Sequence, residues 1–110
     1  MIYNKLVRDK IPEIIKSNGT TPIYRVLNSA DYLSALNHKL QEEVTEYLHD
    51  NSIEEICDIL EVAYAIAAAK GYTAHDLTTA RNTKNEKNGA FHKRIFLEEV
   101  ISTTKETNPQ

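Results

Sequence analysis

The segment from residue 53 to residue 70 constrains this chain most, because it combines an all-round apolar helix with a stripe of carboxylates. At about 100° per residue, its apolar side chains cover almost the whole circumference, which is typical of a helix inside a bundle or at an oligomer interface. Glu54, Asp58 and Glu61 nevertheless form a stripe on it, with Glu55 close to Asp58. Carboxylates that face protein must be paired, protonated or bound to a metal.

The charges of the chain are divided between an acidic centre and basic flanks. Between Gln41 and Ala69 there is no Lys or Arg, but there are eight acids. These acids are Glu42, Glu43, Glu46, Asp50, Glu54, Glu55, Asp58 and Glu61. The other eight of the 16 acids lie outside this window, together with all 13 bases. The pattern argues against a wholly basic surface for a nucleic-acid polymer, and it suits a hard divalent metal that holds a phosphorylated ligand.

The length of 110 residues and the helical periodicity predict one all-α domain. We expect an antiparallel bundle of four to five helices over residues 1–101, followed by a polar flexible tail over residues 102–110. Helices are predicted near residues 10–17 (with Asp9 as the cap), 29–49, 53–70 and 73–88. Residues 21–27 favour a strand and residues 91–101 are ambiguous, so a small two-stranded β element from the N- and C-terminal segments is a further expectation.

Nothing in the sequence predicts a membrane span, a secretion signal or a disulfide framework. The chain has no long apolar run, a polar N-terminus and a single cysteine. We therefore expect a cytoplasmic protein with no membrane partner. A helical chain of this size often completes its core by oligomerising.

Glu42, Glu43 and Glu46 occupy different positions round the first long helix. Glu43 borders an apolar stripe that includes Leu40. Glu46 lies on the same side of the helix, further round from the stripe than Glu43. Glu42 is nearly opposite Leu40, and we expect it to face solvent.

The turn over residues 49–52 is so short that the two long helices it joins must be antiparallel neighbours. It therefore brings Glu43 and Glu46 close to Glu55 and Asp58, which would make an oxygen-rich cage. Because His and Cys are nearly absent there, the cage suits Mg²⁺, with Mn²⁺ as the other option, better than zinc or copper. Magnesium readily takes phosphate oxygens, so a nucleotide substrate is expected.

Simpler interpretations of these acids stay open. Glu55 follows Ser52 by three residues and could close a capping box. Asp58 could pair with a basic residue from another segment, and Glu61 could do the same or be an extra ligand. The whole chain could also be a non-catalytic helical dimerisation or nucleotide-sensing module. An adaptor needs outward-facing acids, whereas we expect Glu43, Asp58 and Glu61 to point towards apolar neighbours.

Three segments of the chain carry a resemblance to a known family. Glu42-Glu43-Val-Thr-Glu46 and Glu55-Ile-Cys-Asp58 have the spacing EExxE and ExxD. They are accompanied by Lys5-Leu-Val-Arg-Asp-Lys-Ile-Pro-Glu-Ile-Ile15 and by Gly89-Ala-Phe-His-Lys-Arg-Ile-Phe-Leu97. In this order they resemble the MazG-like all-α nucleoside triphosphate pyrophosphohydrolases, in particular the branch labelled phosphoribosyl-ATP pyrophosphohydrolase-like. One departure is the gap between the two acidic motifs, which is shorter than is usual in the superfamily.

The resemblance implies a dimeric or tetrameric helical hydrolase that uses Mg²⁺. It would cleave the α–β phosphate bond of a nucleotide to give the monophosphate and pyrophosphate. The substrate would be a nucleoside triphosphate or a related nucleotide, with phosphoribosyl-ATP of histidine biosynthesis as the alternative. The metal-binding positions are matched by Glu43, Glu46, Glu55 and Asp58.

Further roles can be assigned from residue chemistry. A motif carboxylate could accept the proton of the attacking water, with Glu46 favoured and Glu43 as the other candidate. Glu42 and Glu61 are expected beside the metal ligands, outside direct coordination. Cations must hold the outer phosphates, and an amide could bind the base or sugar. The candidates for substrate binding are Arg8, Lys10, Arg81, Lys84, Lys87 and Asn88.

Overall fold

A computed structural model describes residues 2–102 of the chain, and this part is helical. It contains α1 (Ile11–Ser17), α2 (Ser29–Asp50), α3 (Ile53–Ala69) and α4 (Ala74–Asn88). The predicted all-α class is confirmed. The predicted β element is wrong, because neither residues 21–27 nor residues 91–101 form a strand, and no fifth helix occurs among the described residues. Residues 103–110 of the predicted tail lie outside the described part.

The boundaries of the two long helices follow from local signals. The side chain of Asn28 accepts a hydrogen bond from the backbone N–H of Asp31 (2.8 Å) at the start of α2. Ser52 accepts one from the backbone N–H of Glu55 (3.3 Å) at the start of α3. Between them, Asn51 adopts the left-handed conformation (φ 55°) and ends α2. The turn between the helices therefore needs only two residues.

The first helix begins differently from the prediction. Its N-cap is Lys10 and not Asp9, and no side chain caps it. Pro12 lies in the first turn, where its missing N–H leaves no helical hydrogen bond unmade. Gly19 has a φ of 84° just past the end, as expected for a residue that terminates a helix.

The packing of α2 against α3 forms the small core of the described residues. Leu36 of α2 and Val62 of α3 are buried there, and so is Glu43. Most other apolar side chains of α3 are only half-buried or exposed. A charged side chain is therefore among the most buried of the described residues.

The chain divides into two compact units, Met1–Ala74 and His75–Gln110. The first unit contains α1, α2 and α3, and the second contains nearly all of α4. The single domain expected over residues 1–101 stays a prediction. None of the helices in the described part combines the length and the apolar character needed to cross a bilayer.

Candidate metal centre

Glu43 is the acid around which the central carboxylates are arranged. It is only 4% exposed, on the side of α2 that packs against α3. Its Oε1 atom lies 3.3 Å from Lys39 Nζ, whereas its Oε2 atom is buried without a hydrogen-bond partner. A buried carboxylate oxygen without a partner is costly, so this position favours a further cation or a proton.

Two triads of carboxylates share Glu43. The α2 triad consists of Glu42, Glu43 and Glu46, and the bridging triad joins Glu43 to Glu55 and Asp58 of α3. In each triad, one oxygen from each residue lies within 4.8 Å of the other two. Oxygens that share one Mg²⁺ at about 2.1 Å lie at most about 4.2 Å apart, so small side-chain adjustments would let either triad bind it. The antiparallel hairpin is what brings the acids of α3 to Glu43.

Glu55 carries the second buried oxygen without a hydrogen-bond partner, Oε2. Desolvation, followed by contact with the carboxylates of Glu43 and Glu46, raises the pKa of Glu55 from 4.5 to about 7. Its backbone N–H is bound by Ser52, so half of the expected capping box is present. The carboxylate of Glu55, however, belongs to the bridging triad. A capping role for the backbone and a ligand role for the side chain are therefore compatible.

Asp58 pairs with a basic residue from another segment, as one interpretation of the sequence allowed. Arg8 Nη2 donates a hydrogen bond of 2.6 Å to Asp58 Oδ1. Both side chains are partly exposed, and an ion pair in such a position contributes only about 0–1 kcal/mol to stability. The pair therefore leaves Asp58 available to exchange Arg8 for another cation.

Glu42 is only partly exposed, although the sequence predicted that it would face solvent. Its side chain is 27% exposed and lies between two ammonium groups, with Lys5 Nζ 2.8 Å from Oε1 and Lys39 Nζ 3.5 Å from Oε2. Lys5 belongs to the N-terminal segment, which lies on this side of α2. The sequence pattern of α2 alone does not predict this contact. The hydrogen bond from Lys5 is the main cause that lowers the pKa of Glu42.

Glu61 does not point towards apolar neighbours, and that prediction is wrong. It is exposed, and neither triad includes it. Consecutive helical residues point about 100° apart, so the burial of Val62 turns Glu61 away from the core. The hydrogen bond to Asp58 raises the pKa of Arg8, and the charge of Glu61 adds to this effect.

The other predicted substrate-binding residues lie on exposed surfaces. Lys10 is exposed at the start of α1. The remaining ones are exposed on α4: Arg81, Lys84, Lys87 and Asn88. Their roles in substrate binding stay predictions.

Sequence reasoning missed two lysines that contact the acids. Lys39 precedes Glu42 by three residues and Glu43 by four, and this helical spacing could have identified it. Lys5 belongs to the same opening segment as Arg8, but its pairing with α2 has no signal in the local pattern.

Comparison with known proteins finds a partial relative. A stretch of 42 residues is 52% identical to an uncharacterised protein from Mycolicibacterium smegmatis, and it covers 38% of this chain and 43% of that protein. The match therefore spans less than half of the relative's length. No family model matches the chain, and no solved structure matches it.

Proposed function

We propose that this chain is a Mg²⁺-dependent nucleotide pyrophosphohydrolase. It would cleave the α–β phosphate bond of a nucleoside triphosphate or a related nucleotide and release the monophosphate and pyrophosphate. The observation that carries the proposal is the pair of buried, unpartnered oxygens of Glu43 and Glu55 inside one carboxylate triad. The resemblance of the acidic motifs supplies the reaction.

The donor set fits Mg²⁺ or Mn²⁺, because both triads consist of carboxylates alone. Glu43, Glu46, Glu55 and Asp58 would hold the metal. Its chemistry there would be to lower the pKa of the attacking water and to neutralise charge on the phosphates. Within residues 2–102, only Lys5, Arg8 and Lys39 pair with the five acids of the two triads, which leaves net negative charge for a divalent cation.

Glu46 is the best candidate to accept the proton of the attacking water. It is half-buried in the α2 triad, and none of the described basic side chains forms an ion pair with it. Glu43 is the weaker candidate, because Lys39 already holds one of its oxygens. Arg8, next to Asp58 and half-exposed, could contact a phosphate of a nucleotide bound at the triads.

The test is pyrophosphate release from a panel of ordinary and modified nucleoside triphosphates and phosphoribosyl-ATP, with Mg²⁺ and with chelator. We expect release that requires Mg²⁺ and that falls about 100-fold in Glu46→Gln, the loss typical of removing a proton acceptor. The best substrate distinguishes hydrolysis of nucleoside triphosphates from a role in histidine biosynthesis. A folded protein that binds Mg²⁺ and nucleotide but releases no pyrophosphate would support the sensing module instead.

The proposal includes a homo-oligomer, a dimer or tetramer, formed through α3. Ile53 (65% exposed), Ile56 and Leu60 (53%) lie on one side of this helix, and Val62 is buried on the opposite side. A second apolar side that is exposed in the single chain is typical of a helix that packs against another subunit. Both acidic motifs lie outside this apolar side.

The proposal also places the chain in the cytoplasm, where nucleotides are abundant.

Leu60→Asp is expected to dissociate this oligomer. A charge in an apolar interface costs about 2 kcal/mol or more, which raises Kd at least about 30-fold. Light scattering during size-exclusion chromatography measures the mass of the wild type and the variant. Val26→Asp is the control, since Val26 is exposed outside the helices. A monomeric wild type, or an unchanged mass in Leu60→Asp, would contradict the interface.

A further inference from the structure

A cleft of about 310 Å³ lies beside the α2 triad and is lined by one of its members, Glu42. Asn4 and Lys5 of the N-terminal segment line one part of it, and His38 and Lys39 of α2 line another. Glu42, Leu6 and Ala35 complete the lining. Beside the apolar side chains of Leu6 and Ala35, the lining offers two ammonium groups, an imidazole and an amide near a single carboxylate, and all but the carboxylate can bind an anion.

The two lysines hold opposite oxygens of that carboxylate. Lys5 contacts Oε1 of Glu42 and Lys39 contacts Oε2. The side chain of Lys39 is only 17% exposed, so its ammonium group is held close to one position. This geometry is that of a two-point anion site in which Glu42 is the anion. A phosphate group offers the same pair of oxygens and more negative charge.

We propose that this cleft is a subsite for the diphosphate end of a nucleotide, and that Glu42 fills it as an internal anion until phosphate oxygens replace its carboxylate. The inference rests on the proposed function, because it assigns a place to two phosphates of that substrate. The size of the cleft supports this assignment. Its volume is at the lower end of the roughly 300–1,000 Å³ of small-molecule sites, which suits a diphosphate better than a whole nucleotide.

Lys39 connects the subsite to the candidate metal centre. Its ammonium group lies 3.5 Å from Glu42 and 3.3 Å from Glu43, so it lies at the border between the cleft and the acids. A divalent cation held by Glu43 and Glu46, next to Glu42, would attract the carboxylate of Glu42 and weaken its hold on Lys5 and Lys39. Binding of a diphosphate is therefore coupled to the state of Glu42.

The test is calorimetric titration of inorganic pyrophosphate into the full chain, with saturating Mg²⁺ and with chelator. With Mg²⁺, Lys5→Gln and Lys39→Gln are each expected to weaken binding about tenfold, the effect of losing one charge-assisted hydrogen bond. With chelator, Glu42→Gln is expected to strengthen binding about tenfold, because the internal anion is removed. Lys16→Gln, an exposed lysine at the end of α1, is the matched control and should bind like the wild type.

A second titration with a nucleoside monophosphate identifies which part of the substrate the cleft binds. Its affinity should change less than that of pyrophosphate in Lys5→Gln and Lys39→Gln, because it carries one phosphate where pyrophosphate carries two. Circular dichroism and the melting temperature establish that each variant is folded. The subsite is overturned if the Lys5→Gln, Lys39→Gln double variant keeps wild-type affinity for pyrophosphate, or if Glu42→Gln gains none in chelator.

These outcomes separate the subsite from the proposed function. If Mn²⁺ fails to bind and no nucleotide is hydrolysed, but Glu42→Gln gains affinity for pyrophosphate, the subsite stands and the hydrolase proposal fails. If metal binding and hydrolysis occur with unchanged pyrophosphate affinity in both lysine variants, the hydrolase proposal stands and the subsite fails.

Discussion

Asp58→Asn is expected to reduce Mg²⁺-dependent pyrophosphate release about 100-fold or more and to leave the helices intact. Asp58 supplies one oxygen of the bridging triad, together with Glu43 and Glu55. Asparagine preserves the shape of the side chain but removes the charge that a hard divalent cation requires. Loss of the exposed pair with Arg8 costs only about 0–1 kcal/mol, so the variant should fold. Steady-state kinetics and circular dichroism measure both quantities.

Two further variants isolate the cause of this loss. Glu54→Gln removes an exposed acid one helical turn earlier on α3, outside both triads, and should keep wild-type activity. Arg8→Gln removes the partner of Asp58 and should keep Mn²⁺ binding, which Asp58→Asn should lose. Wild-type turnover by Asp58→Asn would refute the assignment of Asp58 as a metal ligand. Loss of Mn²⁺ binding in both variants would show that the ion pair, and not the carboxylate alone, maintains the site.

The helices could be predicted from the sequence because their signals are local. Asn28 and Ser52 cap α2 and α3 through hydrogen bonds to residues three positions later. The predicted strand failed because β-propensity describes a residue on a paired, half-buried surface. Ile23 and Val26 are β-branched, but they are almost fully exposed and have no neighbouring strand among the described residues. A strand cannot form without a partner to accept its hydrogen bonds.

The site could be predicted only in part, for a related reason. The short turn after α2 determines that Glu43 meets the acids of α3, and the turn is visible in the sequence. The pairs Lys5–Glu42 and Arg8–Asp58 join residues 37 and 50 positions apart. They depend on where the N-terminal segment lies, which no helical periodicity encodes. The partial burial of Glu42 could not be predicted for this reason, since its partner Lys5 comes from that segment.

In the presence of chelator, the stability of the protein is expected to fall as the pH rises from about 5.5 to about 8. Desolvation, with the nearby carboxylates of Glu43 and Glu46, raises the pKa of Glu55 from 4.5 to about 7. The folded chain therefore binds a proton that the unfolded chain has already released. This contribution is fully present below pH 4.5 and is lost as the pH rises through about 7. The melting temperature should therefore be lower at the alkaline end.

Glu55→Gln should remove most of this slope, because glutamine keeps the shape of the protonated carboxyl at every pH. The pKa of Glu42 is lowered, so its contribution is lost only as the pH falls below 4.5, outside the range of measurement. The pKa of the exposed His49 is raised, mainly by its hydrogen bond with Asp50, so His49 also lowers the stability as the pH rises. The variant His49→Gln measures the contribution of His49 to the slope. Equal slopes in the wild type and Glu55→Gln would show that Glu55 is ionised throughout. Mg²⁺ should raise the melting temperature more at about pH 8 than at about pH 5.5, because a protonated Glu55 is a poor ligand.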